Sequence, residues 1–193
     1  MLQLIVGLGN PGAEYAGSRH NVGFFWIDQL AEEARAQFKS ERRFKGLVAR
    51  AEIGGRELLL LKPQTYMNAS GESVAPLARF YKFTPEQILV VHDEMDLPAG
   101  HVKLKHGGGH AGHNGLRDIQ AQLGSAATWR LRLGIGHPPG REQVIGWVLG
   151  RPIATDLDAI KDAVRRSLDA LPDLVAGRVD RATQAIHGGN PAA

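Results

Sequence analysis

The segment Gln3-Leu4-Ile5-Val6-Gly7-Leu8-Gly9-Asn10-Pro11-Gly12 shows how the fold begins. Its apolar half has the length and composition of a buried strand, and the glycines and proline that follow set backbone angles that end a strand. The glycines also fit the Gly-x-Gly-x-x-Gly spacing of a dinucleotide-binding turn, but that turn requires a helix opening at the third glycine. Polar residues 13–21 follow instead. The segment therefore predicts a strand whose exit turn presents polar side chains, and it argues against a nucleotide site.

Strand and helix patterns alternate through the rest of the chain. Apolar residues recur at helical spacing in four stretches, at 24–38, 74–81, 116–123 and 157–171. Strand patterns occupy 47–53, 56–61, 88–91, 101–106 and 129–135. The glycine pair at 54–55 is a hairpin signal between the first two of these strands. The order predicts an α/β sandwich with a mixed, mainly parallel central sheet flanked by helices.

Length and composition exclude several classes of protein. The 193 residues suffice for one domain, which we expect over 1–187, with a flexible tail at 188–193. The absence of cysteine excludes disulfides, thiolate nucleophiles and cysteine-ligated zinc. No apolar run approaches the roughly 20 residues that cross a bilayer, and 2–8 lacks the features of a cleavable leader. We therefore expect no membrane contact and a cytoplasmic location.

A histidine and an aspartate in polar segments are candidates for acid–base chemistry. His20 follows the first turn, and Asp93 follows the strand pattern at 88–91. With an ordinary pKa of about 6.5, histidine is the most suitable general base near neutral pH. A carboxylate in contact with it would fix its tautomer and favour proton uptake. The sequence does not show that they touch, and the ordinary roles of such residues are at the surface or as caps.

Three asparagines stand in turn-rich segments, at Asn10, Asn68 and Asn114. Asparagine is common there for turn geometry alone, but its amide can also hold a carbonyl and stabilise a developing oxyanion. The glycine-rich stretch 107–114 lacks the Gly-Lys-Ser/Thr ending of a nucleotide-hydrolysing loop. We interpret this stretch as a lid beside a site.

Two pairs of basic residues each lie on one face of a predicted strand. The pairs are Lys103 with Lys105, and Arg130 with Arg132. Such pairs would bind a phosphate backbone, although a solvated strand face is the ordinary alternative. The net charge of +3 and the pI of 9.4 favour anionic partners only weakly.

Six ordered blocks resemble the bacterial peptidyl-tRNA hydrolase family. They are GLGNPG at 7–12, RHNVG at 19–23, KPQTYMN at 62–68, HDEMD at 92–96, GHNGL at 112–116 and RLRLGIG at 130–136. The resemblance implies a monomeric, cofactor-free enzyme of translation and ribosome rescue. Its substrate would be peptidyl-tRNA, bound through the tRNA acceptor end and the peptide main chain. It would cleave the ester that joins a peptide, or an N-blocked aminoacyl group, to the 3′-terminal ribose.

The resemblance also implies a role for each matched residue. His20 would be the base that activates water, Asp93 would support it, and Asn10 would help to distinguish a blocked peptidyl end. Substrate binding would fall to Tyr15, Tyr66, Met67, Asn68, His113 and Asn114. The tRNA phosphate would be bound by Lys103, Lys105 and Arg132. For Tyr66 and Met67, ordinary core packing is an equal alternative.

Two other hypotheses stay open at this point. His92, Asp93 and the histidines at 106, 110 and 113 have a spacing that suggests a metal-dependent hydrolase, although the glycines between them disfavour a rigid ligand set. We expect no metal. The other hypothesis is a non-catalytic tRNA-binding module that uses only the basic strands.

Overall fold

Seven strands form one mixed sheet in the computed structural model, which describes residues 1–192. The strands are β1 (Leu4–Gly7), β2 (Lys39–Glu41), β3 (Gly46–Ile53), β4 (Arg56–Pro63), β5 (Ile88–Glu94), β6 (Val102–His106) and β7 (Trp129–Gly134). Their order across the sheet is β2-β3-β4-β1-β5-β7-β6. The pairings of β1 with β4, β1 with β5 and β5 with β7 are parallel, and the outer three are antiparallel. The predicted sandwich around a mixed sheet is confirmed, and its parallel part lies at the centre.

Helices cover both faces of the sheet. They are α1 (Val22–Glu33), α2 (Gly71–Tyr81), α3 (Asn114–Leu123), α4 (Val144–Leu149), α5 (Ala154–Val175) and α6 (Val179–Gly188). On one face Ile5 packs in a buried cluster with Trp26 of α1 and Leu168 of α5. On the other face Leu4 packs in a second cluster that includes Val74 of α2. Because successive strand residues point to opposite faces, β1 contributes to both cores.

The first helix is shorter than its apolar periodicity predicts. It ends at Glu33, and Arg35 then adopts a left-handed φ of 52°, which cannot continue a right-handed helix. Phe38 therefore lies outside α1 and directly before β2. The sequence patterns also missed β2, α4 and α6. The strand β2 consists of three polar residues, and α4 is an apolar run too short to show a period.

Glycines allow α1 to lie almost against the backbone of β1 and β5. A Cβ on Gly23 would be 2.5 Å from the carbonyl oxygen of Val91 and 2.6 Å from that of Leu8. A Cβ on Gly9 would be 2.5 Å from the ring of Phe24. Gly7 and Gly9 thus serve helix–sheet contact, whereas Gly12, with a φ of 112°, serves the turn. The first α-helix begins at Val22 rather than at Gly12.

The end of the chain packs on the outer edge of β6. The Asn190 side chain accepts from the N–H of Val102 and donates to its carbonyl, both at 2.9 Å. The N–H of Leu104 donates to His187 Nε2 at 2.9 Å. Of the tail predicted at 188–193, Gly188 ends α6, Asn190 is bound in this way, and residue 193 lies outside the described residues. Side chains thus satisfy backbone groups that an edge strand otherwise exposes.

The helices of residues 1–192 include none that is both long and apolar enough to span a membrane.

We expect Gly23→Ala to lower the free energy of unfolding by about 2–3 kcal/mol, because the added methyl meets backbone atoms that cannot move independently. Denaturation in urea measures the loss. Gly146→Ala is the matched control, since a Cβ there has no neighbour within 4 Å, and its effect should stay within about 1 kcal/mol. Equal stabilities of the two variants would contradict the tight contact between α1 and the sheet.

Candidate active site

The carboxyl ends of two neighbouring strands bring the candidate residues together. β1 and β5 are parallel neighbours, so their carboxyl ends meet at one edge of the sheet. Asn10 stands in the turn after β1, Asp93 near the end of β5, and His20 in the short 3₁₀ turn before α1. His20 and Asp93 are thereby in direct contact, although they lie 73 positions apart in the sequence.

One buried carboxylate binds two imidazoles. Asp93 Oδ2 lies 2.8 Å from His20 Nδ1, and Asp93 Oδ1 lies 2.8 Å from His113 Nε2. An ionised carboxylate can only accept hydrogen bonds, so both of these nitrogens carry protons and donate. His20 Nε2 is then the nitrogen with a free lone pair. The other nitrogen of His113, Nδ1, accepts from the N–H of Leu116 and caps α3.

The contact changes the proton affinities of both partners. Burial alone would raise the pKa of Asp93, but the imidazoles of His20 and His113 hold it well below its usual range. Burial would lower the pKa of His20, but the charge of Asp93 and its hydrogen bond outweigh that effect and raise it. Asp93 therefore stays charged, and His20 takes up a proton more readily than an ordinary buried histidine.

Hydrogen bonds fix the position of Asn10. Its Oδ1 accepts from the N–H of Met67 at 2.7 Å, and its backbone N–H donates to Asn21 Oδ1 at 2.8 Å. Asn21 Nδ2 donates in return to the Asn10 carbonyl at 2.9 Å. With its oxygen engaged in this way, Asn10 offers its Nδ2 hydrogens as donors.

Two adjoining cavities collect most of the predicted residues. The larger, about 240 Å³, is lined by Asn10, His20, Tyr66, Met67, Asn68, Asn114, Ile145, Val148 and Leu149. The smaller, about 90 Å³, includes His20, Asp93, His113, Asn114 and residues of α4 in its lining. Tyr15 meets Tyr66 edge-to-face, with ring centroids 6.4 Å apart. Met67 itself is almost fully buried.

The histidines considered for a metal site are mostly apart. Among residues 1–192, one group of side chains has donor atoms close enough for a metal ion, and it comprises His20, Asp93 and His113. His106 bonds to the carbonyl of Ala127, and His110 accepts from the N–H of Gly112. The predicted set that combines His92 with positions 106 and 110 is therefore not brought together.

Comparison with known proteins gives consistent matches over nearly the whole chain. The family model described as Peptidyl-tRNA hydrolase matches residues 4–192. A peptidyl-tRNA hydrolase of Variovorax paradoxus is 57% identical over 191 residues, which cover 99% of this chain and 91% of that protein. One from Neisseria gonorrhoeae is 54% identical over 186 residues, 96% of this chain and 97% of the relative.

The chain belongs to the peptidyl-tRNA hydrolase family. The crystal structure of the Acinetobacter baumannii peptidyl-tRNA hydrolase superposes with a TM-score of 0.96 at 46% identity, covering 99% of this chain and 97% of the other. The family resemblance of the six sequence blocks is thus confirmed.

The short helix α4 is the part of this family member's cleft that the sequence did not reveal. Ile145, Val148 and Leu149 line the larger cavity, and Ile145 is 75% exposed. Arg19 ties α4 to the segment of His20, since Nη1 donates to the Trp147 carbonyl at 3.0 Å and the guanidinium lies over the indole ring. The only sequence signal was a six-residue apolar run with too few polar neighbours to be an ordinary surface helix.

The predicted phosphate-binding residues lie beside the cavities, on β6 and β7. Cross-strand pairing sets Lys103 opposite Arg132 and Lys105 opposite Arg130, so all four share one face. Lys103 and Lys105 are exposed. Arg132 Nε donates to Glu94 at 2.8 Å, and Glu94 also lines the smaller cavity.

Arg130 differs from the other three cations because it is buried. It is only 3% exposed, and its Nη1 donates to the carbonyl of Gly109 at 2.9 Å. Gln120 donates to the adjacent carbonyl of Gly108 at 3.0 Å. Arg130 and Gln120 therefore hold the glycine-rich stretch that leads to His113.

We expect Asp93→Asn to lower kcat/KM by about 10²-fold or more, because the amide neither fixes the tautomer of His20 nor stabilises its protonated form. In the parent enzyme the acid limb of the pH profile should lie above about 6.5, the ordinary value for histidine, because Asp93 raises the pKa of His20. The substitution removes that charge, so the limb should move to lower pH. A kcat/KM profile from pH 5 to 9 measures both effects. The exposed Asp96→Asn is the control, and an unmoved limb in Asp93→Asn would disprove the coupling.

We expect Lys105→Ser and Arg130→Gln to differ although each removes one positive charge. Lys105→Ser should weaken tRNA binding and reduce the slope of log K against log salt by about 0.7, the value for one phosphate contact in single strands. Arg130→Gln should leave the slope unchanged and lower kcat, because its partner is Gly109. Binding titrations at several salt concentrations decide this, and equal slopes would contradict the division of roles.

Proposed function

We propose that the chain hydrolyses the ester between a peptide and the 3′-terminal ribose of tRNA, with a water molecule activated by His20. The observation that carries this mechanism is the contact of His20 Nδ1 with a buried, charged Asp93, which leaves Nε2 as a base at a cavity lined by three asparagines. Membership of the peptidyl-tRNA hydrolase family supplies the substrate class. The residue roles are our assignment.

In the first step His20 Nε2 removes a proton from water while the water oxygen attacks the ester carbonyl carbon. The carbonyl π electrons move to oxygen and form a tetrahedral oxyanion. The positive charge that develops on His20 lies next to Asp93, whose two oxygens are held by His20 and His113. Collapse of the intermediate breaks the bond to the ribose oxygen, and protonated His20 returns the proton to that oxygen. The products are free peptide and tRNA.

Neutral amides stabilise the oxyanion and orient the substrate. Asn68 and Asn114 line the same cavity as His20, and each has an NH₂ group that can donate to a carbonyl oxygen. Asn10 presents its Nδ2 while its Oδ1 is occupied by Met67. A donor at this position can bond the carbonyl of an N-acyl group, which a free aminoacyl end lacks. We assign to Asn10 the discrimination between these two substrates.

The remaining walls suit a substrate whose peptide sequence varies. Tyr66, which packs edge-to-face on Tyr15, lines the larger cavity together with the apolar residues of α4. Apolar and aromatic walls accept many side chains, whereas the asparagines bond the main chain, which is the same in every peptide. We assign the tRNA end phosphate to Lys105 and Arg132, with Lys103 beside them.

Normal hydrogen-bond geometry favours direct hydrolysis over a metal-dependent mechanism. The two 2.8 Å contacts of Asp93 are the distances expected between imidazole donors and a carboxylate, and the cap to Leu116 engages the second nitrogen of His113.

We propose further that the enzyme acts in the cytoplasm, where translation produces peptidyl-tRNA, and as a monomer.

We expect His20→Asn to lower kcat by about 10²-fold or more while the affinity for peptidyl-tRNA stays within about threefold, because the base is lost and the binding residues remain. The measurement is single-turnover release of an N-blocked aminoacyl group from tRNA, with the unblocked aminoacyl-tRNA as the substrate control. His106→Asn, outside the cavities, is the matched control variant.

Three outcomes would contradict the proposal. Near-normal turnover by His20→Asn would show that His20 is not the base. Loss of activity after exhaustive metal removal, with recovery on adding zinc, would favour the metal-dependent mechanism. Binding of tRNA by the parent protein without any ester cleavage would favour the non-catalytic tRNA-binding module.

A further inference from the structure

One outer edge of the sheet carries a concentration of positive charge, on the β2 side, opposite the β6 edge that holds Lys105. Residues 35–50 contain six basic residues and one acidic residue, a net charge of +5, whereas the whole chain carries +3. The other 177 residues therefore carry a net charge of −2. This stretch includes β2 and β3 and lies at the outer β2 edge. We call the surface the basic edge, and it comprises Arg35, Lys39, Arg42, Arg43, Lys45, Arg50 and Lys82.

Acidic neighbours neutralise only part of this surface. Three members have a carboxylate nearby, namely Arg43 with Glu41 at 3.7 Å, Lys45 with Glu72 at 3.7 Å and Arg50 with Glu57 at 2.9 Å. Such exposed pairs are weak. Across the described chain, no carboxylate forms a salt bridge with the other four, which are Arg35, Lys39, Arg42 and Lys82.

Three basic residues occupy positions that would suit glycine better. Arg35, Lys45 and Lys82 have left-handed φ values of 52°, 46° and 58°, and each follows the end of a helix or 3₁₀ turn. Glycine adopts this conformation without strain from a Cβ. The attraction between a cation and a helix carboxyl end offsets part of that strain. The basic side chain is therefore present at a conformational cost, and all three lie on the basic edge.

Exposed aromatic surface lies among these charges. The guanidinium of Arg43 lies 4.3 Å from the ring centroid of Phe80 and 4.6 Å from that of Phe44. Phe80 is 55% exposed, so part of its ring faces solvent. The ring of Tyr81 lies 4.9 Å from that of Phe80 and lines a cavity of about 440 Å³. The charged residues of this cavity's lining are Arg35, Lys39, Arg50 and Glu41. This volume is within the range of small-ligand sites and can hold a nucleotide-sized group.

We propose that the basic edge binds single-stranded RNA, with phosphates on its cations and an unpaired base on Phe80. Positive grooves that follow the backbone, combined with aromatic faces on which bases stack, are the features of sites for single strands. An acidic peptide would use the charges and leave Phe80 without a role. Duplex RNA hides its base faces inside the helix.

The position of the basic edge indicates an RNA other than the acceptor end of the substrate. β2 and β6 are the two outer strands, six spacings of about 4.8 Å apart, so roughly 29 Å separates them. The active-site strands β1 and β5 lie between. A tRNA end with its ester at His20 and its phosphates on Lys105 extends toward β6, away from the basic edge. This choice of RNA rests on the proposed function.

The test is fluorescence anisotropy with a labelled twelve-nucleotide oligouridylate, in full-length protein that carries Lys105→Ser and Arg132→Ser to remove the other phosphate site. This protein should still bind the RNA in a salt-dependent manner. Adding Arg42→Ser and Lys82→Ser should weaken binding at least tenfold and reduce the slope of log K against log salt by about 1.4, for two contacts. Phe80→Ser should weaken binding about fivefold or more with the slope unchanged.

The matched control is Lys161→Ser with Arg181→Ser, which removes the same charge from exposed positions on α5 and α6. It should change the affinity less than twofold, and a loss equal to that of the basic-edge pair would overturn the proposal. Equal affinity for duplex RNA or for an acidic peptide would overturn it too. A raised KM for peptidyl-tRNA in Arg42→Ser/Lys82→Ser would overturn the assignment to a second RNA. Anisotropy does not depend on turnover, so failure of the ester cleavage assay is a separate result.

Discussion

The buried carboxylate of Asp93 is the interaction on which the site depends. A charge in the protein interior is stable only when hydrogen bonds and opposite or partial positive charges compensate for lost water, and His20 and His113 supply that compensation. The same bonds decide which nitrogen of each ring carries a proton. Stabilisation of the carboxylate and selection of the His20 tautomer are therefore one arrangement, and neither imidazole can be removed without affecting the other.

The fold supports this arrangement from three directions. The parallel pairing of β1 with β5 brings Asn10 and Asp93 to one edge of the sheet. Glycines at the contact with α1 place His20 directly against that edge, because larger residues would separate helix and sheet. The third support is α3, whose first turn is capped by His113, so a helix terminus orients the second donor to Asp93. His92, which directly precedes Asp93 in the sequence, is fully buried. Burial together with the charges of His113 and Arg130 lowers the pKa of His92 to about 3. It adds a neutral ring beside His113, with centroids 5.1 Å apart.

Cations of the same type have different roles according to their burial. Lys105 is exposed and free to meet phosphate, whereas its cross-strand neighbour Arg130 is buried and bound to a glycine carbonyl. Arg19, also buried, holds α4 over the cleft through the backbone and ring of Trp147. Exposure and hydrogen-bond partners, rather than charge alone, thus separate candidate nucleic-acid ligands from residues that position loops.

The sequence by itself determined the α/β class, the hairpin at residues 54–55 and the strands around it, because local periodicity and turn chemistry act within a few residues. Through its ordered blocks it also indicated the family and His20, Asp93 and the asparagines as a set. Only the tertiary structure decided that His20 touches Asp93, that His113 is the second donor, that α1 stops before Phe38 and that α4 lines the cleft. Each of these depends on contacts between segments distant in the chain. Local pattern carries no information on such distances, since burial, register and the close approach of backbones arise only when the whole core is packed.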